Sequence, residues 1–89
     1  TREILQQINR AKRALRELGF RELRVRHHDD VARIELPVAD LQHAVELASI
    51  IDERLRTVGY RYVSLDLGGF RSGSLNSAIV EIELPVTSA

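Results

Sequence analysis

A four-residue phrase occurs twice, forty positions apart: Leu18-Gly19-Phe20-Arg21 and Val58-Gly59-Tyr60-Arg61. A longer phrase also recurs, as Arg33-Ile34-Glu35-Leu36-Pro37-Val38 and Glu81-Ile82-Glu83-Leu84-Pro85-Val86. Repetition at this period means one supersecondary unit used twice, each copy too small to cover its own apolar face. The fold must therefore pack two similar units against each other.

Each unit reads as helix–strand–strand. Ile4, Ile8, Ala11, Leu15 and Leu18 fall at steps of four and three, which is one face of a helix, and Gly19 closes it. Phe20 to Arg26 alternates, with Leu23 and Val25 inward and Arg24 and Arg26 outward. His27-His28-Asp29-Asp30 is a polar break that reads as a hairpin turn. Val31 to Leu36 is a second strand, with Ile34 and Leu36 inward and Arg33 and Glu35 outward, and Pro37 ends its pairing. In the second unit Asp40 is the expected helix cap. Leu41, Ala44, Val45, Ala48, Ile51, Leu55 and Val58 form the buried stripe, closed by Gly59. Tyr60 to Leu67 is the third strand, with Val63, Leu65 and Leu67 inward. Ala78 to Val86 is the fourth. Between them lies a loop from Gly68 to Ser77, longer than its counterpart in the first copy, and an insertion in one copy of a repeat is a common place for binding.

The expected fold class is α+β: a two-layer αββαββ sandwich, with two helices on one face of a four-stranded antiparallel sheet. This is a permuted ferredoxin-like arrangement in which the first strand has moved to the chain end. Residues 1–89 form a single domain, since 89 residues fall near the usual size of one. The opposite sheet face carries Arg24, Arg26, Arg33, Glu35, Ser64, Asp66, Glu81 and Glu83, polar and open.

Charge and composition narrow the function classes. Lys plus Arg and Asp plus Glu are both 13, so net charge is zero. A general grip on nucleic acid or an anionic membrane needs net basic surface, so neither is an expected partner. There is no Cys, which excludes disulfides, thiolate nucleophiles and cysteine-held metals in this sequence. That composition is compatible with a cytoplasmic location, and no apolar run approaches the ~20 residues of a membrane span. Twelve of the 13 basic residues are Arg, the side chain suited to bidentate contact with carboxylate or phosphate. The chain begins at Thr1, which suggests a trimmed chain or a fragment.

Three groups could carry chemistry. Arg24 and Arg26 share a strand face about 7 Å apart, a spacing that suits two oxygens of a phosphate or cross-strand pairing with Glu35, Asp66 or Glu83. The loop Gly68-Gly69-Phe70-Arg71-Ser72-Gly73-Ser74 offers backbone N–H groups, Arg71 and two hydroxyls to an anion, or is simply a hairpin loop. His27-His28-Asp29-Asp30 contains metal-ligand residue types, but adjacent strand residues point to opposite faces, so a solvated turn is preferred and no metal site is assigned. There is no nucleophile elbow, no phosphate loop with Lys and no zinc spacing, hence no catalytic residue. The sheet lacks the stacked aromatics of an RNA-binding face.

The segments Arg24-Val25-Arg26-His27-His28, Ala32-Arg33-Ile34-Glu35 and Tyr62 to Asn76, in that order and preceded by Leu-Gly-Phe-Arg, resemble the C-terminal domain of the LarE family. These are PP-loop, ATP-dependent sacrificial sulfur transferases that thiolate a pyridinium dicarboxylate mononucleotide for the nickel-pincer cofactor of lactate racemase. The resemblance covers about residues 10–77. It implies that Arg24, Arg26 and Arg71 contact phosphate, and the loop itself offers the hydroxyls of Ser72 and Ser74 beside the last. It also implies a homo-oligomer, at least a dimer, and an anionic mononucleotide substrate reached through the parent protein.

The sequence departs from the family in holding neither the Ser-Gly-Gly-x-Asp-Ser loop nor the sacrificial cysteine. No cofactor is expected in this chain, with ATP and Mg belonging to the full-length parent. The expected function is a phosphate-contacting and oligomerising domain of a LarE-like sulfur transferase, inactive alone. The alternative is a free-standing ferredoxin-like module for dimerisation or small-ligand binding.

Overall fold

The repeated Gly phrases are helix terminators. In the computed structural model, which describes residues 1–70, α1 spans Arg2–Glu17 and α3 spans Ala48–Val58. After α1, Gly19 N–H donates to the Arg16 carbonyl at 3.0 Å and Phe20 N–H to the Leu15 carbonyl at 3.2 Å. After α3, Gly59 N–H donates to Arg56 at 3.0 Å and Tyr60 N–H to Leu55 at 3.2 Å. This is the Schellman pattern, which caps carbonyls left over at a helix end. It needs a left-handed residue, and the two glycines supply it with φ of 105° and 124°. The aromatic residue that follows each glycine is folded back into the core: Phe20 and Tyr60 are buried, as are Leu15 and Leu55. The repeat thus encodes the same helix exit twice.

Strand β1 (Arg24–His28) and strand β2 (Val31–Glu35) form an antiparallel hairpin. Its turn is only Asp29-Asp30, with Asp29 at φ 53°, a left-handed position that Asp tolerates. This corrects the expectation that His27 and His28 belong to the turn. Both are strand residues, and His27 lies on the same face as Val25. Thr1 caps α1, its hydroxyl accepting from Ile4 N–H at 3.3 Å.

The second expected helix is two. Helix α2 spans Val38–Glu46, and the chain bends at Leu47 (φ −99°, ψ 18°) before α3. Leu47 N–H is shared between the His43 and Ala44 carbonyls, both at 3.1 Å, and the Leu47 carbonyl accepts from Ile51 N–H at 2.9 Å in the first turn of α3. Asp40 is not the cap. Pro37 holds that position without a side-chain bond, and Asp40 lies in the first turn, where its carboxylate faces the positive end of the helix dipole. Of the expected stripe, Ala44, Ile51 and Leu55 are buried, while Val45 and Ala48 are exposed.

Strand β3 (Tyr62–Leu65) corrects the expected topology. It pairs with β2 in parallel, with Arg33 opposite Ser64, and the order is β1-β2-β3. A permuted ferredoxin-like sheet would keep β2 and this strand apart and make every pair antiparallel. Here the α2–α3 crossover returns the chain to the starting end of β2, and strands joined in that way and lying side by side must run parallel. The described residues therefore form an α+β fold of three helices and a three-stranded mixed sheet, rather than two helices on an antiparallel sheet. The expected fourth strand, Ala78 to Val86, lies outside the described residues.

Helix α1 packs on β1 and α3, and α3 packs on β3. Ala11, Leu15, Ile51 and Leu55 meet Val25, Ala32 and Ile34 in the core, with Val63 and Leu65 partly buried at its margin. Each Val, Leu or Ile side chain contributes about 1.5–3 kcal/mol when fully buried. Leu67, expected inside, is exposed beyond the end of β3.

Candidate anion-binding face

The strand period places Arg24, Arg26, Arg33, Glu35, Tyr62 and Ser64 on the sheet face away from the helices. In register, Arg24 stands opposite Glu35 and Arg26 opposite Arg33. Two arginines directly opposite would repel each other, and Glu35 resolves this. Its Oε2 accepts from Arg26 Nε at 3.4 Å and from Arg33 Nη2 at 3.1 Å. The carboxylate is buried, only 4% exposed, whereas the two arginine side chains are nearly half exposed. Among the described residues its Oε1 has no hydrogen-bond partner.

The expected cross-strand partner of Arg26 is therefore present. Glu35 takes one N–H from each of two guanidinium groups that carry five donors apiece, so most of their donors remain for a ligand. Arg24 is held differently. Its Cζ lies 4.4 Å from the centroid of the Phe70 ring, a cation–π contact that also leaves the planar edge of the guanidinium open. Strands β1 and β2 give this face three cations and one carboxylate.

The loop after β3 starts with a closed turn. Asp66 N–H donates to the Ile34 carbonyl at 2.9 Å, extending the parallel pairing by one bond. Gly69 N–H donates to the Asp66 carbonyl at 3.1 Å, and Gly68 N–H to Asp66 Oδ1 at 2.9 Å. These two amides are thus spent inside the turn and do not cradle an anion, as the glycine-rich sequence had suggested. Gly69, at φ 85°, instead allows close approach to the link between β2 and α2: a Cβ there would run into the Val38 side chain and come within 3.5 Å of the Leu36 carbonyl. The turn takes the chain past the end of β2, against Leu36 and Val38, and Arg24 stands opposite Glu35 at that end, so Phe70 reaches Arg24 although β3 is not next to β1. Arg71, Ser72 and Ser74 lie outside the described residues.

On the inner face, His27 Nδ1 and the Tyr60 hydroxyl are 2.9 Å apart and their rings meet edge-on. Burial pushes the Tyr60 phenol above its ordinary value of 10.0. Among the described residues no cluster of three or more His, Asp or Glu could hold a metal. Nor is any described helix long and apolar enough to cross a membrane.

Sequence reasoning put Arg33 and Glu35 on this face but missed that Glu35 is buried and shared. It also missed the Phe70 stack, whose signal was an aromatic residue set directly before the loop arginine.

The fold and this face define the class: a small α+β domain that presents arginines on one side of its sheet. Over 84 residues, 94% of the chain, it is 43% identical to the pyridinium-3,5-bisthiocarboxylic acid mononucleotide synthase of Lactiplantibacillus plantarum. Over 83 residues it is 40% identical to an uncharacterized protein of Synechocystis sp.. The chain spans about 30% of the length of these relatives. No family model matches it. The chain is thus a homologue of part of a LarE enzyme, as its motifs had indicated.

Proposed function

We propose that this chain is the phosphate-contacting and oligomerising part of a LarE-like sulfur transferase and is inactive by itself. The observation that carries the reading is the shared outer face of Arg24 and Arg26, where three guanidinium groups face one carboxylate. The relative is named for a mononucleotide product, and a mononucleotide carries the phosphate that such a face suits. Arg71 follows Phe70 directly in the chain, and Phe70 lies on Arg24. Arg71, Ser72 and Ser74 are assigned to the same phosphate contacts in this reading. ATP and magnesium belong to the remainder of the parent enzyme, together with the sulfur donor. The site is cytoplasmic, and neither nucleic acid nor membrane is a partner.

Self-association, to at least a dimer, rests on β3. Among the described residues it is an edge strand, and edges invite pairing. Beside it runs an apolar groove of about 300 Å³ whose lining includes Val45, Ile51, Val63 and Leu67.

The test is a titration with inorganic phosphate followed by amide shifts, in the wild type and in Arg71→Ala. Shifts at residues 24–26 that weaken in the variant are expected. Shifts absent there, or unchanged by the substitution, would leave these arginines as surface ion-pair partners and favour a free-standing module.

A further inference from the structure

We propose that Arg33 is a further guanidinium of the anion site, aimed together with Arg26 by the buried carboxylate of Glu35. This rests on the phosphate reading above and extends it to two residues which neither the loop nor the Arg24/Arg26 pair had implicated. Three observations lead to it. Arg33 is the register partner of Arg26, so their backbones are adjacent on neighbouring strands and their side chains leave the same face. Both donate to one oxygen, Glu35 Oε2, at 3.4 and 3.1 Å, which ties the two cations into a pair. The carboxylate that joins them is buried while the guanidinium groups are exposed, so the acid lies beneath and the cations are turned to solvent.

An ordinary surface ion pair has both partners in water and is worth little. This one differs. Glu35 is desolvated, and one of its oxygens has no partner among the described residues, so the cluster carries a desolvation cost that an exposed pair does not. What the arrangement achieves is order. Two long side chains that would otherwise lose rotamer freedom on gripping a ligand are already held. Among the described residues, Arg26 is bound through Nε, which leaves both its terminal nitrogens free, and Arg33 is bound through Nη2, which leaves Nε and Nη1. A phosphate dianion that bridged the two would meet donors from each. The chemistry recognised is therefore a terminal phosphate monoester, which offers several oxygens and about two negative charges, rather than a single carboxylate.

Glu35 gives the idea a test with opposite signs. If the carboxylate merely competes with the ligand for the arginines, Glu35→Gln removes a repelling charge and tightens phosphate binding. If it aims them, Glu35→Gln weakens binding despite that gain in charge. The experiment is a titration with inorganic phosphate of the wild type, Arg33→Ala, Arg33→Lys, Arg26→Ala and Glu35→Gln. It is read by the side-chain Nε–H resonances of arginine, with circular dichroism to verify the fold. We expect Arg33→Ala to weaken binding roughly tenfold, the loss of one charged hydrogen bond. Arg33→Lys, which keeps charge but not the fork, should recover only part of it, and Glu35→Gln should weaken binding while broadening the Arg26 and Arg33 signals. Binding that falls in Arg26→Ala but is unchanged in Arg33→Ala overturns the inference and leaves the phosphate reading standing. Tighter binding in Glu35→Gln overturns the aiming role. Should Glu35→Gln not fold, the Arg33 variants decide. No shift of any arginine in the wild type overturns both readings together.

Discussion

Nδ1 of His27 lies 2.9 Å from the hydroxyl of Tyr60, joining β1 to the residue that follows the Gly59 exit of α3. The link is made inside the protein, since Tyr60 is only 2% exposed. It ties the hairpin to the second copy of the repeat at the point where that copy turns from helix to strand. Tyr60→Phe keeps the ring and deletes the bond, so a loss of about 1 kcal/mol is expected in urea unfolding.

Tyr60 also sets an alkaline limit. Burial raises its folded pKa above the unfolded value of 10.0, so between the two the unfolded chain releases a proton that the folded chain keeps. Its contribution is fully present below pH 10 and is lost as pH rises through the folded pKa. Thermal unfolding followed from neutral pH to strongly alkaline pH should show a falling midpoint, and Tyr60→Phe should flatten that fall.

Gly69→Ala and Gly19→Ala separate two costs. Both positions have positive φ, at 85° and 105°, so each substitution strains the backbone by about 1 kcal/mol. At Gly19 nothing lies within 4 Å of a new Cβ, whereas at Gly69 the link between β2 and α2 is in the way. Gly69→Ala should therefore destabilise by clearly more than Gly19→Ala. Equal losses in denaturant unfolding would show that the crowding at Val38 relaxes freely.

Phe70→Leu keeps an apolar side chain and removes the ring face under Arg24. A loss of about 0.5–1 kcal/mol is expected, together with disappearance of the ring-current shift on the Arg24 side chain. An unchanged Arg24 spectrum would mean that the stack is not populated in solution.

Sedimentation at high micromolar concentration tests assembly. A species of at least twice 10.1 kDa is expected, and a clean monomer would remove the association proposed for the β3 edge and its groove.

Local signals were legible where one residue type had one physical job. The stripe from Ile4 to Leu18 identified α1, and the two glycine exits identified the ends of both helical segments, because no other residue takes that φ so cheaply. The alternation from Leu23 to Glu35 identified the hairpin and its two faces. What escaped depended on neighbours. The bend at Leu47 has no Gly or Pro to announce it, and its apolar side chain fits either a straight or a bent helix. Whether β3 pairs beside β2 or one strand away is a matter of how the crossover docks, and Tyr62-Val63-Ser64-Leu65 reads alike in both. Alternation put Glu35 on the correct face, but alternation says nothing of what surrounds a residue there, so its burial beneath two arginines was not foreseen.

The parallel crossover also divides the arginine-bearing face in time. Strands β1 and β2 close across two residues, whereas β3 joins β2 only after both intervening helices have been laid down. Chain closure over the longer span costs more entropy, so the hairpin is expected to form before β3 docks. Partial opening runs the same route in reverse and lifts β3 before it disturbs the hairpin. The Arg26–Glu35–Arg33 clamp belongs wholly to the hairpin, but the stacking partner of Arg24 arrives on the far end of β3. One half of the face is therefore as durable as the fold's earliest unit, and the other is only as durable as its last strand.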